Sequence, residues 1–224
     1  MTLWFTRTTE EQDLDHAREL INGAKQGILF LMFNPGPAGT LLNAIIERGS
    51  KMAPTYDPDL YVQGVANQDP GGSKNPVILV HRGEARQAPF DIVLPGNIDK
   101  RLPYWREEIR KKYRANAMVH SKVVLVDPFG SHPVVMTGSH NLGPKASRVN
   151  DENFVIIENQ PALAAAYAVN IISIYNQYRW RYRMHQGETT KQYLGLHDSE
   201  GWLRSYLDGE KAAENAFWMG SGPT

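Results

Sequence analysis

Apolar positions recur along the chain at two spacings, and the switches between them mark out the elements. Leu3 to Thr6 has the look of a short strand. From Gln12 to Gln26, Leu14, Ala17, Leu20, Ile21 and Ala24 fall on one helical face, and Gly27 is placed to end that helix. The unbroken apolar run Ile28 to Phe33 suits a buried strand. After the turn Asn34-Pro35-Gly36-Pro37, Leu41, Leu42, Ile45 and Ile46 predict a second helix with Gly49 at its end. Strand, helix, strand, helix in that order argues for a layered α/β domain.

The signal weakens between residues 50 and 100. Leu60 to Ala66, Pro76 to Val80 and Asp91 to Leu94 are strand-like, and Gln68 to Lys74 between them reads as a loop of the kind that borders sites. Arg101 to Arg114 reads as a helix with Leu102, Trp105, Ile109 and Tyr113 inward. Its basic residues Arg106, Arg110, Lys111, Lys112 and Arg114 make a solvated face on the plain reading, and a phosphate- or lipid-facing patch on the other. Val119 to Val126 is rich in β-branched residues and closes on Asp127-Pro128, and Val134 to Thr137 returns as its paired strand. Asn153 to Glu158 is a further strand. Ala162 to Arg183 is the longest helix, with Leu163, Tyr167, Ile171, Ile174, Tyr175 and Tyr178 on one stripe and aromatics interleaved with arginines at its end. These elements predict an α/β domain over residues 1–183. Residues 184–224, with Trp202, Leu203, Tyr206, Phe217 and Trp218, form an aromatic-containing extension expected to dock on it.

Composition narrows the class only a little. Hydrophobic residues at 42% and charged residues at 21% describe an ordinary globular protein. Lys+Arg and Asp+Glu balance at 24 each, so no bulk positive field argues for non-specific nucleic-acid binding. The absence of cysteine excludes disulfides, thiolate metal sites and a cysteine nucleophile. Neither a signal peptide nor an apolar run long enough to span a membrane is visible, which points to a cytoplasmic protein.

The chemistry concentrates around one strand. Alternate strand residues share a face, so His120 and Lys122 are expected to point the same way and Asp127 the other. A nucleophile or base beside a fixed positive charge suits chemistry on a phosphate. His132 and His140 sit in a turn and a polar-glycine motif and do not argue for a metal site with His120. His16, His81, His185 and His197 have no constellation around them.

The combination His120-x-Lys122-x4-Asp127, then Gly138-Ser139-x-Asn141, then Glu152, resembles the signature of the phospholipase D superfamily, which includes phospholipases, cardiolipin and phosphatidylserine synthases and small endonucleases. The likeness is densest over residues 117–158 and extends loosely over 3–183, and it implies an α-β-α sandwich with a mixed central β-sheet flanked by helices. It implies catalytic roles for His120, Lys122, Asn141 and Glu152, with His120 attacking phosphorus to form a phosphohistidine. Lys122, Asn141 and Ser139 would bind the phosphoryl oxygens, and Glu152 would hydrogen-bond the second imidazole nitrogen. Gly138 would admit a close ligand or backbone, and Asp127 would secure the hairpin. No cofactor or metal is implied, because lysines supply the charge neutralisation.

Two features depart from the usual pattern. Ten residues separate Asp127 from Gly138 where about six are usual in the resemblance, and the excess falls in the turn Pro128 to Pro133. The chain also holds a single motif, whereas the implied mechanism uses two histidines. The expected function is therefore a metal-independent phosphodiesterase, a phospholipase D-like hydrolase or phosphatidyltransferase. Its second motif would come from a symmetry-related chain in a homodimer or from the other half of a longer protein, as in the C-terminal half of bacterial phospholipase D-like proteins. The alternatives are an endonuclease of the same superfamily and a non-catalytic phosphate-binding or dimerisation half-domain. The expected partner is a phosphodiester substrate, phospholipid or nucleic acid.

Overall fold

The computed structural model describes residues 1–50, 52–66, 78–80, 89–93, 119–185, 199–208 and 211–219. The elements run β1 (Thr2–Phe5), α1 (Gln12–Asn22), β2 (Gly27–Met32), α2 (Leu41–Arg48), β3 (Tyr61–Ala66), β4 (Ile78–Val80), β5 (Pro89–Val93), β6 (Lys122–Val126), β7 (Val134–Gly138), α3 (Pro144–Arg148), β8 (Asn153–Glu158), α4 (Pro161–His185), α5 (Arg204–Leu207) and α6 (Ala212–Trp218). The expected loop Gln68 to Lys74, the helix Arg101 to Arg114, His81 and His197 lie outside the described residues.

All eight strands join one mixed sheet in the order β1-β8-β7-β6-β2-β3-β5-β4. The pairs β2/β3 and β3/β5 are parallel and the rest antiparallel. Strand alternation divides the central strands between two cores. Ile28, Phe30, Met32, Val124 and Val126 face the cluster that holds Leu14, Ala17 and Ile21 of α1 and Leu41, Leu42 and Ile45 of α2. Leu29, Leu31, Val123 and Leu125 face Ala164, Ala168, Ile171 and Tyr175 of α4. Helices therefore cover both faces, and the α-β-α sandwich with a mixed sheet is the observed fold. Phe217 of α6 joins the second core, 4% exposed and stacked on Tyr61 with ring centroids 4.1 Å apart.

Three local expectations need correction. The glycine that closes α1 is Gly23, whose N–H bonds to Glu19 O, while Gly27 opens β2. At Gly27 a side chain would meet Tyr61 O and the Phe217 ring, each at 2.6 Å. On α4 the most deeply buried stripe is Ala164, Ala168, Ile171 and Tyr175, whereas Leu163 is 36% exposed. Small alanines let that helix lie close to the sheet, so Ala164 and Ala168 share its inner face with the expected Ile171 and Tyr175. Strand β6 starts at Lys122, so His120 stands before it. Its neighbours explain this: β2 ends its pairing at Met32↔Lys122 and β7 at Val123↔Thr137, leaving residues 119–121 without a ladder partner.

At the other end of β6 the chain turns on Asp127, at φ 47°. Its Oδ1 accepts hydrogen bonds from the backbone N–H groups of Lys25, Gln26 and Gly27 at 3.0, 2.7 and 3.0 Å. Its own N–H donates to Gly27 O at 2.8 Å. This clasp joins the entry of β2 to the exit of β6. Removing the carboxylate in Asp127→Ala orphans three amides, so the variant should lose about 3 kcal/mol and melt some 10 °C lower. Asp127→Asn, which keeps one acceptor oxygen, should lose about half as much in the same thermal melts.

Candidate active site

The strand ends opposite that clasp open into a cleft of about 570 Å³ lined by His120, Lys122, Ser139, Asn141, Glu152 and Tyr167, among others. His120 is exposed and Lys122 is 9% exposed. The ammonium of Lys122 donates to His120 O at 2.7 Å and lies 3.3 Å from both ring nitrogens of the same histidine. Phe33, just beyond β2, backs the pair: its ring centroid is 4.4 Å from that of His120 and 4.6 Å from the Lys122 Nζ. The ring face is electron-rich and attracts the cation. Burial pushes the Lys122 pKa below its ordinary value of 10.5, and the negative charge of Glu152 opposes the shift.

The second wall is the turn between β7 and α3. Gly138 has φ 141°, and a side chain there would meet Asn153 O at 2.3 Å, so the backbone that comes close to it is that of β8. Ser139 N and His140 N both donate to Asn153 O, and Ser139 Oγ accepts from Asn153 N at 3.0 Å. Among the described residues the hydroxyl hydrogen of Ser139 has no acceptor, which leaves it available to the cleft. Asn141 is half-buried, and its Oδ1 has no hydrogen-bond partner among the described residues.

Glu152 departs from its expected contact. No hydrogen bond joins it to His120. Its backbone N–H is tied to Thr6 Oγ1 at 2.8 Å, and its Oε1 accepts from Asn150 Nδ2 at 3.2 Å. The imidazole is braced instead by Phe33 and Lys122. His132 is paired with Asn159 and His140 with Asp13, so neither converges on His120. Among the described residues no group of three or more His, Asp or Glu is placed to hold a metal ion. No helix of the described residues is long and apolar enough to cross a membrane.

Residues 90–175 match the family model of the cardiolipin synthase, phospholipase D-like domain. That match takes in His120, Lys122, Asn141 and Glu152, so this part of the chain is similar to a phospholipase D-like domain. Among solved structures, Nuc from Salmonella typhimurium, a phospholipase D family member, is similar over 80% of this chain and 95% of its own, at 18% identity and a TM-score of 0.43. NucT from Helicobacter pylori matches over 80% and 95% at 12% identity and a TM-score of 0.46. A phosphatidylserine synthase from Haemophilus influenzae matches over 82% of this chain and 38% of its own, at 14% identity and a TM-score of 0.36. No curated protein matches the sequence.

Two parts of the cleft and its support escape a motif reading. Phe33 is one, although it is the last residue of an apolar run whose end had to meet the strand carrying Lys122. The other is a buried polar cluster beneath the Ser139 turn. His140 and Asp13 are both 0% exposed, with His140 Nε2 3.0 Å from Asp13 Oδ2. Asp13 also accepts from Thr8 Oγ1 at 2.8 Å and Ser147 Oγ at 2.9 Å, and Ser147 Oγ lies 3.1 Å from His140 Nε2. Its signal was a carboxylate four residues before Ala17, on the inward stripe of α1.

Burial alone raises the Asp13 pKa, but the hydrogen bonds from His140, Thr8 and Ser147 outweigh it and hold the group at about 2, against an ordinary 3.8. A carboxylate depressed on folding stabilises fully above its unfolded value and ceases to as pH falls through the folded one. Wild type should therefore exceed Asp13→Asn in stability near neutral pH, by on the order of 2 kcal/mol. The gap should close between about pH 4 and pH 2 in urea titrations stepped through that range. A gap that persists undiminished at the acid end would contradict the assignment.

Proposed function

We propose that the cleft is half of a metal-independent phosphodiesterase site that works through a phosphohistidine. The observation that carries this reading is the convergence of His120, Lys122, Ser139, Asn141 and Glu152 on one open cleft. An unprotonated imidazole nitrogen of His120 attacks phosphorus, forming an N–P bond as the P–O bond to the leaving group breaks. The Lys122 ammonium, the Ser139 hydroxyl and the Asn141 amide supply positive charge and donors to the phosphoryl oxygens as their charge grows. Phe33 and Lys122 hold the ring, and Glu152 balances the charge of Lys122. The leaving oxygen takes a proton from the histidine of a second motif. That histidine then removes the proton from an attacking water or alcohol as the N–P bond breaks.

The second motif comes from another copy of this chain, paired about a two-fold axis, or from the other half of a longer protein. A phospholipid is the favoured phosphodiester, since the balanced charge gives a polyanion no bulk attraction. Aryl phosphodiester hydrolysis should persist in excess EDTA and fall by at least ~10³-fold in His120→Ala. Activity that survives the mutation, or that EDTA abolishes, would overturn the mechanism. Phospholipid and single-stranded DNA assayed in parallel assign the substrate. Sedimentation of the active species should give a dimer, and a fully active monomer would exclude pairing of two copies.

A further inference from the structure

We propose that His140 is a positioning residue: its imidazole couples helix α1 to the Ser139–Asn141 turn and so aims the two side chains that flank it at the reacting phosphate. The proposal rests on the phosphodiesterase reading for its catalytic consequence and on geometry alone for the coupling. His140 Nδ1 accepts a hydrogen bond from Leu142 N–H at 2.8 Å. That nitrogen is therefore unprotonated, and the ring proton of the neutral imidazole sits on Nε2, facing Asp13 Oδ2 at 3.0 Å. One ring thus spans the turn's own backbone and a carboxylate on α1, with its face packed against Phe154 at a centroid distance of 5.2 Å.

The turn has other fixed points that make it respond to this ring as a unit. Leu142 O accepts from Leu41 N at the start of α2, and Gly143 lies so close to Pro35 that a side chain there would come within 2.0 Å of its carbonyl oxygen. Between those points and the Asn153 contacts of Ser139, the side chain of His140 is the tether buried beneath the cleft floor. Ser139 is exposed, His140 is 0% exposed and Asn141 is half-buried. Release of the buried ring would let its neighbours turn away from the cleft. A displacement near 1 Å at a substrate-binding donor is enough to cost about 10²-fold in rate.

The test pairs two variants with a coupling measurement. Asp13→Asn retains the shape of the α1 partner, and His140→Gln retains a polar group near the Nε2 position while losing the Nδ1 acceptor. Each should lower kcat on the aryl phosphodiester by about tenfold or more, with KM within about twofold. In a Ser139→Ala/Asn141→Ala background the same changes should cost less than about twofold, because the side chains they act through are gone. Equal losses in both backgrounds, or losses that follow only the folded fraction, would overturn the proposal.

Two spectroscopic readouts do not need turnover. Imidazole nitrogen shifts should place the His140 proton on Nε2 in the wild type and in His120→Ala alike, and a proton on Nδ1 would refute the coupling. The side-chain amide resonances of Asn141 should move in His140→Gln, and unmoved resonances would refute it equally. An inactive wild type with both spectroscopic signatures present would remove the phosphodiesterase reading and leave the coupling standing.

Discussion

The register between β2 and β6 is set at one end by the carboxylate of Asp127, and most of what matters at the other end follows from it. Three amides of the chain entering β2 converge on one oxygen, and the amide of Asp127 returns a bond to Gly27. With that corner held, Ile28 must face Val126 and Met32 must face Lys122. A slip of one residue would exchange the two apolar faces of β6, putting Val123 and Leu125 where Val124 and Val126 belong. It would also part Phe33 from His120 and Lys122. A residue with no contact to the cleft thus determines which aromatic ring backs the histidine.

The cleft itself is built from places where the sheet stops. Residues 119–121 have no partner strand, and Gly138 ends β7, so exposed polar groups gather there without breaking ladder hydrogen bonds. Lys122 illustrates the compromise. It belongs to a buried strand, loses hydration, and recovers partners from a carbonyl, an imidazole, an aromatic face and the field of Glu152. A cation desolvated to this degree acts more strongly on a bound anion than one on a surface.

Legibility in the sequence followed the kind of force involved. The strand at Asn153–Glu158 and the helix ending at Gly49 were plain, because period and capping are local properties. The polar cleft residues were found through a motif whose spacing survives a lengthened hairpin. The inner face of α4 was legible at Ile171 and Tyr175 but not at Ala164 and Ala168, because small side chains that pack closely carry little hydrophobic signal. The hydrogen bond that Glu152 makes, from Asn150 two residues away, was not legible in the motif, which carries no information on such local partners. His140 was passed over since its pairing with Asp13 spans most of the domain in sequence, and only the assembled fold brings the two together.

Gly138 illustrates how geometry and chemistry become entangled in a compact motif. Its φ of 141° and the nearby Asn153 carbonyl leave no room for a side chain. A side chain at this position is therefore sterically opposed before any question of catalysis arises. A glycine inside an active-site signature is easily credited with a part in the reaction. Here the demand comes from the neighbouring strand, and the site inherits it.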